Sequence, residues 1–113
     1  MASPLTTHVL DTAHGVPAAG VFVTLCHEAV GGWQTVSEGT TNADGRVPDL
    51  VESGRFVVGR WRLRFEVEAY FAARGLPCFF PVPEIVFDVT DLSRHHHVPL
   101  LLSPYGYSTY RGS

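Results

Sequence analysis

The chain has 113 residues, 45% hydrophobic and 17% charged, with a formal net charge of −3. That length suits one domain around one core, residues 1–113. The mild negative charge gives no electrostatic grip on nucleic acid or an anionic membrane, and no segment approaches the roughly 20 apolar residues of a membrane span. All eight basic residues are arginine, which excludes Schiff-base chemistry and any lysine base.

In chain order, the punctuation is that of an all-β protein. Turn clusters fall at Gly15-Val16-Pro17, Gly31-Gly32, Thr41-Asn42-Ala43-Asp44-Gly45, Glu52-Ser53-Gly54, Gly75-Leu76-Pro77 and Ser103-Pro104. Between them, strands are predicted over 6–12, 21–29 and 33–38. The clearest alternation follows at 62–68, where Leu63, Phe65 and Val67 share one face and Arg62, Arg64, Glu66 and Glu68 the other. A period of two sends the apolar set into a core and the charges to solvent. Residues 69–74 read as a short helix closed by Gly75. A strand over 84–90 repeats the alternation with Ile85, Phe87 and Val89 inward. The last two strands are predicted over 96–102 and 105–110.

The two cysteines, Cys26 and Cys78, lack the spacing of a zinc or redox motif, and read as buried thiols in a reducing compartment. The opening Met1-Ala2-Ser3-Pro4 is neither basic nor apolar, so no signal peptide is expected and the expected location is the cytoplasm. The low charge of so small a domain leaves surface for another subunit to cover.

The histidines carry the chemical interest, because an unperturbed pKa of about 6.5 suits acid–base work near neutrality. Alternation puts His95 and His97 on one face, with His96 on the other beside Val98, Leu100 and Leu102. The pair His95 and His97 reads equally as two zinc ligands lacking a third, as a base, or as a polar strand end. His8 shares a strand face with Thr6 and Leu10. Arg46 follows a tight turn in which Gly45 can adopt a positive φ, and a fixed arginine there could aim its planar fork at an oxygen-rich ligand. The chain closes on Tyr105, Tyr107 and Tyr110 among small hydroxyl residues, a composition suited to docking in an interface or pocket.

Read together, these residues resemble the transthyretin-like family. Leu5-Thr6-Thr7-His8-Val9-Leu10-Asp11-Thr12 with Pro17-Ala18-Ala19-Gly20-Val21 is similar to the family's opening, and Asn42-Ala43-Asp44-Gly45-Arg46 to its second motif. Phe79-Phe80-Pro81 and the run from His97 to Thr109 are similar to the remainder. Tyr110-Arg111-Gly112-Ser113 resembles the terminus of the 5-hydroxyisourate hydrolase branch, where transthyretin itself continues differently.

The resemblance implies an all-β sandwich of two antiparallel four-stranded sheets with one short helix. It implies a homotetramer, a dimer of dimers, with active sites in a channel along the dimer–dimer interface. It assigns catalysis to His8, Arg46 and His97, and substrate binding to His8, Arg46, Tyr110, Arg111, Gly112 and Ser113. The implied reaction is hydrolysis of the ring amide of 5-hydroxyisourate, with no cofactor and no metal. The family more often has histidine, tyrosine, histidine where this chain has His95, His96 and His97; the middle side chain is expected to point away from the site.

Overall fold

Alternating burial sorts the chain into two layers. In the computed structural model, which describes residues 3–112, strand β1 (Leu5–Asp11) buries Leu5, Thr7, Val9 and Asp11 and leaves Thr6, His8 and Leu10 part-exposed. The strands that follow are β2 (Val16–Pro17), β3 (Phe22–Ala29), β4 (Gly32–Thr40), β5 (Gly59–Glu66), β6 (Glu84–Val89), β7 (His96–Ser103) and β8 (Gly106–Thr109). Helix α1 (Glu68–Ala72) lies between β5 and β6, and a single 3-10 turn spans Ser53–Arg55. One sheet runs β2-β1-β7-β8 and the other β4-β3-β5-β6.

This is the expected sandwich of two four-stranded sheets, with two corrections. The sheets are not antiparallel throughout, because β1 pairs with β7 in parallel, Leu5 opposite His96 and Asp11 opposite Leu102. Most of the chain separates these two strands, so no hairpin forces them to run in opposite directions. The segment Gly15-Val16-Pro17 is not only a turn: Val16 and Pro17 pair with Asp11 and Leu10 as a two-residue edge strand. Pro17 is tolerated there because an edge strand can spare one N–H.

The core forms where the sheets face each other. Leu63, Phe65 and Val67 of the alternating segment are fully buried, as is the preceding Trp61, against Leu5, Val9, Leu25 and Leu100. Each such side chain contributes on the order of 1.5–3 kcal/mol by leaving water. Trp61 satisfies its one polar atom by donating Nε1–H to the Val57 carbonyl at 2.9 Å. Helix α1 starts at Glu68 rather than at 69 and buries Tyr70 and Phe71. It ends at Ala72, two residues earlier than expected, and a turn carries the chain on to Gly75 at φ 69°. The Gly75 N–H bonds to the Ala72 carbonyl and the Leu76 N–H to that of Phe71, each at 3.0 Å, the paired bonds of a glycine-closed helix end.

Asp11 ties the helix to β1. Its fully buried carboxylate accepts the Tyr70 hydroxyl and His14 Nδ1, both at 2.6 Å, and the N–H groups of Ala13 and His14. Burial pulls its pKa up, but these hydrogen bonds outweigh burial and hold it below the usual carboxylate value. Cys26 is buried and Cys78 half-buried, both as free thiols. No described helix is long and apolar enough to cross a membrane.

Candidate active site

The parallel pairing of β1 with β7 brings the first and last histidine segments together. Thr6 stands opposite His97 and His8 opposite Pro99, so His8 and His97 lie on adjacent strands of one sheet. His96, Val98, Leu100 and Leu102 are buried on the core side of β7, while His97 is only half-buried on the other side. The two histidines meet on this outer face through a pairing between segments nearly ninety residues apart.

His97 is held on two edges of its ring. Nδ1 lies 2.8 Å from the Thr6 hydroxyl, and Gly112 presses its backbone against the Cδ2 edge, leaving no room for a Cβ there. The ring's other nitrogen, Nε2, has no hydrogen-bond partner among the described residues. Burial, then the charge of Arg46, then His8 and His95 hold the His97 pKa below its ordinary value of 6.5. A neutral imidazole with an open nitrogen is what a general base requires near pH 7.

Arg46 reaches this face because its turn is fastened to β1. The Asn42 side-chain oxygen accepts the N–H groups of Asp44 at 2.9 Å and Arg46 at 3.1 Å, while the Asn42 N–H donates to the Arg46 carbonyl at 2.8 Å. The Val9 N–H then donates to the Gly45 carbonyl at 2.8 Å. Gly45, at φ 75°, sits so near the Val9 carbonyl that a Cβ would overlap it. The motif read as a turn beside a ligand-facing arginine thus sets Arg46, an exposed residue, next to the strand carrying His8.

The C-terminal segment divides between two sides. Strand β8 pairs antiparallel with β7, Thr109 opposite Leu100 and Ser108 opposite Leu101, and Gly112 bridges to His97 with its N–H donating to the His97 carbonyl at 2.8 Å. Continuing that alternation puts Tyr110, 59% exposed, on the face of His97. Arg111 falls on the opposite side. It lines a cleft of about 220 Å³ together with Ile85, Phe87, His96, His97, Val98 and Tyr110. Its charge, after burial, is the next cause of the lowered His96 pKa. Of the anticipated catalytic and binding residues, then, His8 and His97 share one face, the charge of Arg46 acts on His97, Gly112 abuts the His97 ring, Tyr110 falls on the same side of its strand as His97, and Arg111 lies toward His96. Ser113 lies outside the described residues.

His96 points away from the site as expected. It is buried, with its ring edge-on to Phe56 at 5.6 Å between centroids, and its Nδ1 has no partner. His95 does share the face of His97, but the two rings converge on one hydroxyl: His95 Nε2 lies 2.9 Å from Thr6 Oγ1. Among the described residues no three His, Cys, Asp or Glu side chains cluster as a metal site would, so the zinc reading of this pair finds no third ligand. Thr6 is the residue sequence reading missed. Its signal was available, since it shares the face of His8, but its contact with His97 depends on the register between distant strands.

Residues 5–112 match the model of the HIUase/Transthyretin family. The chain is 50% identical to a 5-hydroxyisourate hydrolase of Caulobacter vibrioides, over 98% of this chain and 99% of that protein. It is 44% identical to the mouse (Mus musculus) 5-hydroxyisourate hydrolase, over 98% and 96% respectively. Among solved structures it is similar to sea bream transthyretin in complex with thyroxine, with a TM-score of 0.92, 35% identity, and 96% of this chain and 94% of that one covered.

Proposed function

The chain belongs to the HIUase/Transthyretin family, and on that footing we propose that residues 1–113 act as one catalytic domain that hydrolyses 5-hydroxyisourate in urate degradation, giving 2-oxo-4-hydroxy-4-carboxy-5-ureidoimidazoline. The observation that carries this reading is the half-buried His97 on one sheet face with His8, where burial and then the charge of Arg46 hold its pKa below 6.5. Hydrolysis of a ring amide needs an activated water, a cation or donors for the oxyanion, and a proton for the departing nitrogen. His8 and His97 activate the water and return its proton. Arg46 is too basic to take a proton, so it holds the substrate oxygens and offsets the charge that develops on them. Tyr110 orients the substrate through its hydroxyl. The residues named supply each of these roles without a cofactor or metal.

A second reading has a specific relative behind it: a ligand carrier, since sea bream transthyretin is similar to this chain and its structure holds thyroxine. Fold does not choose between the two. The polar face formed by His8, Arg46 and His97 favours acid–base chemistry over an apolar carrier wall.

The assembly that fits is a homotetramer, a dimer of dimers. In one subunit Arg46 is exposed and His97 only half-covered, whereas preorganised charges act most strongly where water is excluded. A second subunit across the β1–β7 face would supply that cover. The free thiols of Cys26 and Cys78 suit the reducing cytoplasm, where we place the reaction.

The test is an ultraviolet time course with 5-hydroxyisourate freshly generated from urate, with its spontaneous decay as the blank. Acceleration by catalytic amounts of protein is the expected result. A folded protein that leaves the decay rate unchanged would sink the hydrolase and favour the carrier.

A further inference from the structure

The hydroxyl of Thr6 stands between two imidazoles, 2.8 Å from His97 Nδ1 and 2.9 Å from His95 Nε2. A hydroxyl has one proton to give. Of the two rings, only one can accept that proton; the other must donate to the oxygen. The direction of this three-member chain therefore fixes which nitrogen of His97 carries hydrogen, and with it whether the open Nε2 is a base or a donor.

We infer that Thr6 is a positioning residue: its hydroxyl donates to His95 Nε2 and accepts from His97 Nδ1–H, which leaves Nε2 of His97 as a lone pair facing the substrate. This deepens the hydrolase reading and rests on it. Two features favour that direction. His95 is exposed, so its remaining N–H can turn to water whichever tautomer it adopts. Gly112 closes the Cδ2 edge of His97, so the ring is gripped from both sides, with Nε2 the nitrogen left open among the described residues.

The consequence for the reaction is direct. Nε2 takes a proton from the attacking water while Nδ1–H stays bonded to Thr6, and the cation so formed keeps its hydrogen bond. The same proton then passes from Nε2 to the departing ring nitrogen as the C–N bond breaks, and His97 returns to its starting tautomer. No proton is left over. Without the Thr6 hydroxyl, neutral His97 would exchange between tautomers, and only part of the population would present a lone pair to water.

The measurement is nitrogen-15 NMR of the imidazoles in the full-length protein near pH 7.5, beside steady-state kinetics. In the native protein His97 is expected to be protonated at Nδ1. Thr6→Val, close in shape but without the hydroxyl, should give a mixed tautomer and lower kcat severalfold, with KM within about twofold. Thr6→Ser should restore both. Native His97 found protonated at Nε2, or a Thr6→Val variant with unchanged tautomer and kcat, would overturn the inference. The NMR result does not depend on turnover: the expected tautomers in a protein that fails to accelerate 5-hydroxyisourate decay would refute the hydrolase while leaving the Thr6 geometry standing.

Discussion

Gly112 forms one wall of the pocket that holds the His97 ring. Its N–H donates to the His97 carbonyl at 2.8 Å, and its Cα side faces the imidazole so closely that a built Cβ would overlap Cδ2 and stand 3.1 Å from Cγ. The glycine of the C-terminal tetrapeptide is required by the ring beside it. Its backbone is not in the left-handed region, so the demand is purely one of space.

Gly112→Ala should therefore push the His97 ring off Thr6 while leaving the sandwich intact. A tenfold or greater fall in kcat is expected, about 1.4 kcal/mol or more in the transition state, with a thermal melt within a few degrees of native. Kinetics paired with a melting curve checks this; an alanine variant of native kcat would show that the ring tolerates the methyl group.

The pH profile should report His97. Burial first and Arg46 second keep its pKa below 6.5, so the base form dominates at neutral pH and kcat/KM falls only as pH drops through that lowered value. Arg46→Gln removes the cation, lets the His97 pKa rise, and should move the acid limb to higher pH, besides lowering the rate. A limb that stayed in place, or moved to lower pH, would mean that Arg46 does not act on His97.

Gly45→Ala tests the turn that delivers Arg46. A left-handed φ costs a non-glycine residue on the order of 1–3 kcal/mol, and here the methyl group also meets the Val9 carbonyl. Urea denaturation should show a loss of at least that size. Turnover should fall as Arg46 shifts, even under conditions where the variant is fully folded.

His96 should make the fold sensitive to mild acid. Burial, with Arg111 next, lowers its pKa below the 6.5 expected when unfolded. Between those two values the unfolded chain binds a proton that the native state refuses. Stability thus declines as pH falls from about 6.5 toward the lowered pKa, and this contribution levels off below it. His96→Tyr should flatten that decline in urea midpoints measured at pH 7.5 and pH 5.5. An unchanged slope would assign the acid sensitivity elsewhere.

Much of the molecule was legible in one dimension because strand alternation is a local property. Leu63, Phe65 and Val67 against Arg62, Arg64 and Glu66 sorted core from solvent with no knowledge of a partner strand. His96 was likewise sent inward and His97 outward by a period of two. Gly45 and Gly75 announced a turn and a helix end through the left-handed backbone that glycine alone adopts freely. The two-residue β2 escaped notice because Val16–Pro17 is too short to show a period, and is a strand only through its bonds to β1.

The sequence by itself determined which face of the alternating strands is buried, where the chain turns, and which residue types are available for acid–base work. The tertiary structure alone decided that β1 and β7 run parallel, with Thr6 opposite His97, since pairing between segments so far apart depends on the whole sandwich and leaves no local pattern. From that register come the hydroxyl shared by His95 and His97 and the placing of His8 and His97 on one face, while the pairing of the C-terminal segment with β7 turns Arg111 to the other. These are relations between strands, and such relations exist only once the sheet has formed.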